Sequence, residues 1–340
     1  MGLSIFLAEE IAAMALAAVV GWVVVRIGLF EARESEVISR IAVYICSPCI
    51  VVTAFQMEIT AEKVTGLFLA FVAAVLVHIF LILVMRAAKK PLGLQKIERA
   101  SVIYTNAANL TIPLVAAVLG EEWIFYTSAF IIVQTVLFWS HGLTLIIPGE
   151  GKNWKKIFLN PNIIAVGIGL FLFVTKIRFP VVIATTVSGF GDMIGMISML
   201  AVGMLIGAMD LREVFAAKRA YFVCLLRLLL LPGLVAVCFA LAVCGGAHPE
   251  AEYILMVVLV ATAAPPAVML TQTSQTYGGD PRYVSIINVM GSVLCIVTIP
   301  LIIAFYEYLI LLLLFRSGCP KPVQGLEHPL VFSLIYSLSC

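Results

Sequence analysis

Two stretches of the chain place polar residues and prolines inside otherwise apolar runs, and these residue types could bind an anion. The first stretch contributes Asn106, Asn109, Thr111 and Pro113. The second stretch contributes Pro265 and Pro266. Asparagine amides beside the free N–H groups at the start of a half-helix would hold an anion, because the helix dipole is positive there. The alternative is that the amides only satisfy the backbone of a broken helix.

Both stretches are predicted to break a helix deep inside a membrane. Proline removes a backbone donor and frees a carbonyl one turn back, so two adjacent prolines strongly disfavour a continuous helix. At ~1.5 Å per residue, Pro113 lies about 20 Å from Arg99, and Pro265 lies about 20 Å from Glu252. Non-helical backbone at this depth is tolerated only inside protein or beside a water-filled cavity. A packing kink would explain one break, but two at matching positions favour a shared binding site.

The composition requires a membrane around these stretches. The 340 residues are 63% hydrophobic and 12% charged, with a mean hydropathy of +1.13. Soluble domains are nearer ~45–50% apolar and ~25% charged. A water-soluble enzyme is therefore excluded, and the lipid bilayer is the expected surrounding. A net charge of +2 gives no strong field for a polyanion, which excludes nucleic acid as a partner.

The apolar runs predict ten membrane spans, since a bilayer core requires about 20 apolar residues per helix. The spans are expected near 11–30, 37–56, 64–86, 100–119, 122–147, 160–177, 193–209, 218–244, 252–278 and 282–307. The stretch 181–192 is too short to cross alone and is expected to enter the membrane partway.

The loops between the predicted spans fall into two sets that differ in lysine and arginine content. Most of the 21 lysines and arginines lie in one set, which is therefore expected to be cytoplasmic. With an even number of spans, both termini would face outward across the cytoplasmic (inner) cell membrane.

A basic connector at 148–159 divides the predicted spans into two five-helix repeats, 1–147 and 160–310. Because five is odd, two related halves must be inverted relative to each other, which is the architecture of many secondary transporters. Each half has its break in its fourth span, so the fourth and ninth spans are broken. The predicted fold class is an all-α polytopic membrane protein. No role is assigned to the tail, 316–340.

The order of several short motifs resembles the auxin efflux carrier family over about residues 5–310. An asparagine followed seven positions later by proline, Asn106 to Pro113, is similar to the fourth-span signature of that family. The further motifs are Asn160-Pro161, Gly203 to Gly207, Arg227 to Pro232, Ala264 to Ala267 and Tyr277 to Asp280. Each motif is weak alone, but their order and spacing together are specific.

The resemblance implies a carrier in which spans one, two, six and seven form a scaffold and the other six form a transport domain. The fourth and ninth spans would cross where they break. Movement would be elevator-like, and a homodimer would form through the scaffold helices. Bacterial members of the family are permeases for malonate and similar organic anions, so a small organic anion is the expected substrate.

Some polar residues outside the two stretches could contribute to the same site. Gln134 in the fifth span and Asn288 in the tenth could line it, and helix–helix hydrogen bonds would explain them equally well. Arg227 lies inside the eighth span, where it would either hold an anion or extend its side chain to the cytoplasmic surface. His78 and His141 lie on apolar faces with no other ligand type at metal spacing, so no metal site is expected.

Asp192 is the candidate for ion coupling, because a carboxyl group at membrane depth is costly and is usually functional. The alternative is a position at the outer surface, just before the seventh span. A coupling proton or sodium ion is the only cofactor that the sequence leads us to expect.

Two other function classes compete with a carrier. The run Gly189-Phe-Gly-Asp192 matches the Gly-x-Gly-Asp pattern of intramembrane aspartyl proteases, but that chemistry needs a second carboxyl group at the same site. Asp210 is predicted roughly 27 Å along the same helix, and Asp280 is predicted at the opposite membrane face. A channel is the other alternative, since broken helices also build filters, but no ring of like residues suggests one. We therefore predict a secondary active carrier for a mono- or dicarboxylate, and not an enzyme.

Overall fold

The protein is helical almost throughout the residues described by the computed structural model, namely 3–56, 60–146, 155, 158–207, 209–277 and 280–317. Within these ranges the only β-type pairing is one isolated bridge. The α-helices are α1 (Leu3–Arg26), α2 (Ser35–Ile41), α3 (Ser47–Ala54), α4 (Ala61–Ala88), α5 (Lys96–Ile103), α6 (Ile112–Leu119), α7 (Ile124–Leu137), α8 (Leu143–Ile146), α9 (Pro161–Thr175), α10 (Val181–Asp192), α11 (Ile194–Gly207), α12 (Leu211–Ala216), α13 (Lys218–Leu225), α14 (Leu231–Cys244), α15 (Ala251–Ala263), α16 (Val268–Tyr277) and α17 (Pro281–Ser317).

Short turns of other helix types join several of these elements. Turns of π-helix lie at Ala42–Cys46, Ala107–Thr111, Phe138–Gly142 and Leu226–Leu230, and 3₁₀ turns lie at Ala32–Glu34 and Glu121–Trp123. Most of the predicted connector, 148–159, lies outside the described residues, and so does the predicted tail from residue 318 onward.

In the described part of the chain, six helical stretches are long and apolar enough to cross a membrane. They are Ser35–Ala54, Ala61–Ala88, Glu121–Ile146, Val181–Gly207, Lys218–Cys244 and Arg282–Phe315, and the shorter apolar helices are Leu16–Arg26, Pro161–Thr175 and Ala251–Ala263. Their outer faces expose large apolar side chains such as Phe68 and Val181, which lipid would cover. The prediction of an all-helical, multi-pass membrane protein is confirmed.

The prediction that 181–192 forms a separate, partly inserted segment is wrong. Helices α10 and α11 are separated only by Met193 and together form one stretch of 27 residues that could cross a membrane. Met193 keeps right-handed helical dihedral angles, with φ −68° and ψ −19°. The segment was expected to be separate because 12 residues are too few to cross a membrane, but no proline or left-handed residue turns the chain at Met193.

The helices pack in two groups. The first group is formed by α1, α2, α3, α9, α10 and α11, in which α1 packs on α11, and α3 packs on α9 and α10. Where α1 crosses α11, a Cβ atom at Gly21 or Gly203 would collide with the backbone of the opposite helix. The two helices therefore meet backbone to backbone, as small residues permit in membranes.

The second group contains α4 to α8 and α13 to α17. In this group α4 packs on α7 and α15, and the long helix α17 contacts α13, α14, α15 and α16. The two groups meet chiefly where α1 and α11 lie against α6 and α17. This boundary positions the candidate site.

A buried carboxylate ties together one end of the second group. Glu98 is 0% exposed, and its Oε1 accepts hydrogen bonds of 2.9 Å from Arg219 Nε and from the Tyr283 hydroxyl. Its Oε2 accepts a bond of 2.8 Å from the Gln95 backbone N–H. These bonds join the starts of α5, α13 and α17.

Candidate functional site

The chain leaves the helix between α5 and the π-turn that precedes α6. Tyr104 is extended, with φ −101° and ψ 128°, and Asn106 is also non-helical. Helical structure resumes at Ala107. Pro113 therefore lies seven residues beyond Asn106, inside the second half-helix and not at the interruption.

The π-turn explains why Pro113 does not break its helix. Proline sits in the first turn of α6, where its missing N–H costs least. In the turn before it, the Ile112 N–H donates to the carbonyl of Ala107, five residues earlier. The wider turn accommodates the ring, which would otherwise press on the carbonyl one turn back.

A second interruption separates α15 from α16. Helix α15 ends at Ala263, and Ala264 is extended, with φ −61° and ψ 152°. Residues that precede proline avoid the helical region for steric reasons, and both Ala264 and Pro265 precede one. The two prolines therefore lie in the interruption itself, and α16 begins at Val268.

The two interruptions pair with each other. Thr105 and Pro266 form an isolated antiparallel bridge. The Asn106 N–H donates to the Pro265 carbonyl at 2.8 Å, and the Ala267 N–H donates to the Tyr104 carbonyl at 3.1 Å. We refer to residues 104–106 and 264–267 together as the crossover. Backbone groups that leave their helices in one half of the chain are thus satisfied by the other half.

Two amide side chains brace the crossover, one at each of its two segments. Gln134 Oε1 accepts bonds from the Thr105 N–H at 3.0 Å and from its hydroxyl at 2.9 Å, and Gln134 Nε2 donates to the Thr105 carbonyl at 2.8 Å. Asn288 Nδ2 donates to the Pro266 carbonyl at 3.3 Å. These bonds correspond to the helix–helix alternative stated for both residues.

Arg227 does not extend to the surface, and its role was missed by the sequence analysis. Its side chain is 0% exposed. Nη1 donates to the Val102 carbonyl at 3.1 Å, and Nη2 donates to the Ala264 carbonyl at 2.8 Å. These carbonyls belong to the C-terminal ends of α5 and α15, the negative ends of their dipoles. One guanidinium therefore neutralises both half-helices that lead into the crossover.

Both histidines named in the sequence analysis are in the second group of helices. His78 is fully buried, with Nδ1 2.7 Å from the Ala74 carbonyl. His141 Nδ1 lies 2.8 Å from the Tyr104 hydroxyl. His141 therefore supports the ring of Tyr104, whereas Nε2 of His78 has no hydrogen-bond partner among the described residues.

A cleft between the two groups of helices reaches the crossover at Asn106 and Pro265. Its other walls come from α1, α6, α11 and α17, and most of the lining side chains are apolar. A second, smaller cavity adjoins the same asparagine on the side of Ser39 and Ser198. The Ser198 hydroxyl has no hydrogen-bond partner among the described residues. The cleft thus offers neutral donors and apolar walls to a ligand, with no charged side chain in its described lining.

A profile of the family described as membrane transport protein matches the chain in two stretches, residues 6–153 and 150–303. Together these stretches cover well over half of the sequence. The chain belongs to this membrane transport protein family. The family is that of the auxin efflux carriers, so the resemblance stated from the motifs is confirmed. A search among curated proteins finds no significant match.

Membership of this family makes the protein a multi-pass membrane transporter. The two remaining polar candidates from the first stretch are Thr111 and Asn109. Thr111 is 0% exposed, and its hydroxyl has no hydrogen-bond partner in the described part of the chain. The side chain of Asn109 lies outside what the structure describes.

The aspartates of this membrane transporter do not come together. Asp192 is exposed at the end of α10 and interacts with Glu121. Asp210 accepts a bond from the Arg212 N–H at 2.9 Å and caps α12. Asp280 accepts a bond from the Tyr283 N–H at 3.0 Å at the start of α17. The second aspartate required by the protease hypothesis is therefore engaged in helix capping.

Within the described residues there is no group of three or more His, Cys, Asp or Glu side chains that could hold a metal ion. The chemistry that the crossover of this transporter offers is the binding of a ligand. It combines backbone donors, a neutral amide and a buried cation with a cleft between the two groups of helices.

Proposed function

We propose that the protein is a secondary active carrier that moves a small organic anion, such as a mono- or dicarboxylate, across the cytoplasmic membrane. The observation that carries this proposal is that Asn106 belongs to the crossover and also lines the cleft between the two groups of helices. A ligand held there would contact both groups at once. Movement of one group past the other would then carry the ligand.

The electrostatics of the crossover favour an anion. Four half-helix ends meet there, and each carries roughly half an elementary charge. The two negative ends, at Val102 and Ala264, are neutralised by Arg227. The two positive ends, at Ala107 and Val268, have no acidic side chain among the described residues that line the cleft. A net charge of about +1 is left, which suits one carboxylate.

The apolar walls of the cleft favour a substrate that carries a hydrocarbon part besides its charged group. Leu110, Leu114 and Met199 line the cleft beside Asn106. A carboxylate with a short hydrocarbon body would bury its apolar part against them, whereas a fully hydrated inorganic anion would gain nothing there.

We further propose ten spans arranged as two inverted repeats, 1–147 and 160–310, with broken and crossing fourth and ninth spans and both termini outside. The two amide side chains that brace the crossover come from equivalent predicted spans, and this supports the arrangement. Gln134, from the fifth predicted span, holds Thr105, and Asn288, from the tenth, holds Pro266. Equivalent amides on equivalent spans are expected when two halves share one plan.

An elevator-type motion is the proposed mechanism. The division of helices into two packed groups supports it, because the first group consists of the predicted scaffold spans one, two, six and seven. We propose that a homodimer forms through this group. A proton or a sodium ion would couple transport to a gradient, with Asp192 as the candidate for its binding.

Counterflow in proteoliposomes tests the proposal. Vesicles loaded with unlabelled malonate, malate or indole acetate are expected to accumulate the corresponding labelled anion, with and without sodium and a pH gradient. An absence of counterflow with every carboxylate offered would contradict the proposed substrate class.

Variants at position 106 locate the site. Asn106→Ala removes one hydrogen bond to a charged group, worth ~1.5–3 kcal/mol, which corresponds to a loss of roughly 10- to 150-fold in affinity. Asn106→Asp should be worse, because it adds a like charge where the anion must sit. Asn288→Ala is the matched control, since this amide bonds the Pro266 carbonyl and should cost less. A well-folded Asn106→Asp protein that binds its anion as tightly as the parent would remove the crossover from the binding site.

A further inference from the structure

Another cavity, of about 500 Å³, lies away from the crossover cleft and from the small cavity beside Ser198, at one end of the second group of helices. Its lining comes from the end of α4, from α5, and from the π-turn and helix that follow α7. The basic members of the lining are Arg86, Lys89, Lys90, Arg99 and His141, and the apolar members include Ile82, Met85, Ile103 and Leu145. We call this space the basic cavity.

Among the described residues, no acidic side chain pairs with the cations of the basic cavity. No carboxylate is among its described lining residues. The ion pairs found in the described part of the chain involve Arg33, Arg40 and Arg219, none of which lines the cavity. The nearest acidic residue in sequence, Glu98, is already held by Arg219 and Tyr283. Four positively charged side chains therefore line one space that has no counter-charge in the described part of the chain.

Arg99 distinguishes the basic cavity from the basic surface that membrane proteins ordinarily have on their cytoplasmic side. Cytoplasmic lysines and arginines orient membrane proteins and need no cavity to do so, which would account for the exposed Arg86, Lys89 and Lys90. Arg99 is only partly exposed, and its Nε is buried with no hydrogen-bond partner. A buried donor without an acceptor costs free energy unless a ligand or water supplies one. Arg99 and His141 both line the basic cavity, so a ligand in it would lie beside both side chains.

The lining identifies the chemistry of the ligand. A single carboxylate would leave most of the positive charge unmatched, whereas a phosphate group brings several acceptor oxygens and a higher charge density. Basic pockets between transmembrane helices are suited to lipid head groups. The apolar residues Ile82 and Leu145 would contact the glycerol and the start of an acyl chain.

We propose that the basic cavity binds a phosphate group, carried either by an anionic phospholipid or by a soluble phosphate ester. This site does not depend on the proposed transport of a carboxylate. It shares no lining residue with the cleft at Asn106, so either proposal can fail without the other.

Thermal unfolding of the purified full chain in detergent tests the site and separates the two sources. The probes are dioctanoyl phosphatidylglycerol, dioctanoyl phosphatidylcholine and glycerol 3-phosphate. We expect the anionic lipid to raise the unfolding temperature in a saturable manner and the choline lipid to leave it unchanged. An equal rise with glycerol 3-phosphate would identify a soluble ester as the ligand. An absence of any rise with both anions would overturn the proposal.

Variants place the effect at the cavity. Arg99→Gln should raise the concentration of anion needed for half of the shift by roughly tenfold or more, as expected for a lost charge-assisted bond. If Arg99→Gln does not fold, Lys89→Gln combined with Lys90→Gln replaces it, since both lysines are exposed. Arg212→Gln is the matched control, because Arg212 is exposed and does not line the cavity. Cavity variants that respond to the anion as the parent does would overturn the assignment.

Discussion

Replacement of Arg227 tests whether one buried cation serves the whole crossover. Arg227→Met keeps much of the side-chain volume and removes the charge and both hydrogen bonds. The carbonyls of Val102 and Ala264 would then be buried without a donor, at ~1–3 kcal/mol each. Relief of the desolvation cost of the guanidinium offsets part of that loss. We therefore expect the low end of the range, about 2 kcal/mol of stability, and a lower unfolding temperature.

The same change should weaken anion binding by an electrostatic effect. Arg227 Nη2 lies 2.8 Å from the Ala264 carbonyl, and the next carbonyl, that of Pro265, lies 2.8 Å from the Asn106 N–H. Consecutive residues are ~3.8 Å apart, so an anion at Asn106 would lie ~10 Å from the guanidinium. At an effective dielectric constant of about 20, two unit charges at that distance interact by ~1.7 kcal/mol. The affinity should fall roughly 15-fold.

Two further variants separate stability from binding. Arg227→Lys keeps the charge but lacks the rigid fork that reaches two carbonyls. It should lower the unfolding temperature while retaining most of the affinity. Arg178→Met removes an exposed arginine and should change neither quantity. The assays are thermal unfolding in detergent and calorimetric titration with the carboxylate that gives counterflow. An Arg227→Met protein that folds and binds as the parent does would refute the reasoning.

Three other predictions follow from the described geometry. Cysteines introduced by Lys155→Cys and Glu121→Cys should be labelled from the cytoplasm and from outside respectively, and the reverse pattern at both positions would invert the proposed topology. Pro265→Ala combined with Pro266→Ala should impair transport by letting α15 and α16 join into one helix, which withdraws the carbonyl that accepts from the Asn106 N–H; unchanged transport in vesicles would show that the interruption persists without proline. Asp192→Asn should abolish gradient-driven uptake and leave exchange at equal gradients largely intact, whereas ordinary driven uptake would assign Asp192 to the surface.

The sequence was sufficient for those features that depend on composition or on local sterics. An apolar content of 63% requires a bilayer whatever the packing, and the prediction of a multi-pass helical protein is confirmed. Pro265 and Pro266 lie where helix α15 ends, because each proline disfavours the helical conformation of the residue before it and two in a row reinforce the effect. The ordered motifs were likewise sufficient to identify the family.

Predictions from neighbouring residues were less reliable where the helix could change its local geometry and continue. Pro113 was expected at an interruption, but a π-turn accommodates it, and the chain leaves the helix earlier, at Tyr104. The segment 181–192 was expected to be separate because it is short, yet the helical conformation continues through Met193. A charged or cyclic side chain changes the free energy of a helix, but whether the helix ends depends on the neighbours that accept its groups.

The parts of the site that pair across the chain were decided by tertiary structure alone. Arg227 donates to the carbonyl of Val102, 125 residues earlier, and the Gln134 amide forms hydrogen bonds with Thr105. Nothing in the residues around Arg227 shows that two half-helices end beside it, since the carbonyls that it binds are backbone atoms present at every position. Sequence predicts that a break must be satisfied somewhere, whereas only the packing of two distant segments determines which side chain satisfies it.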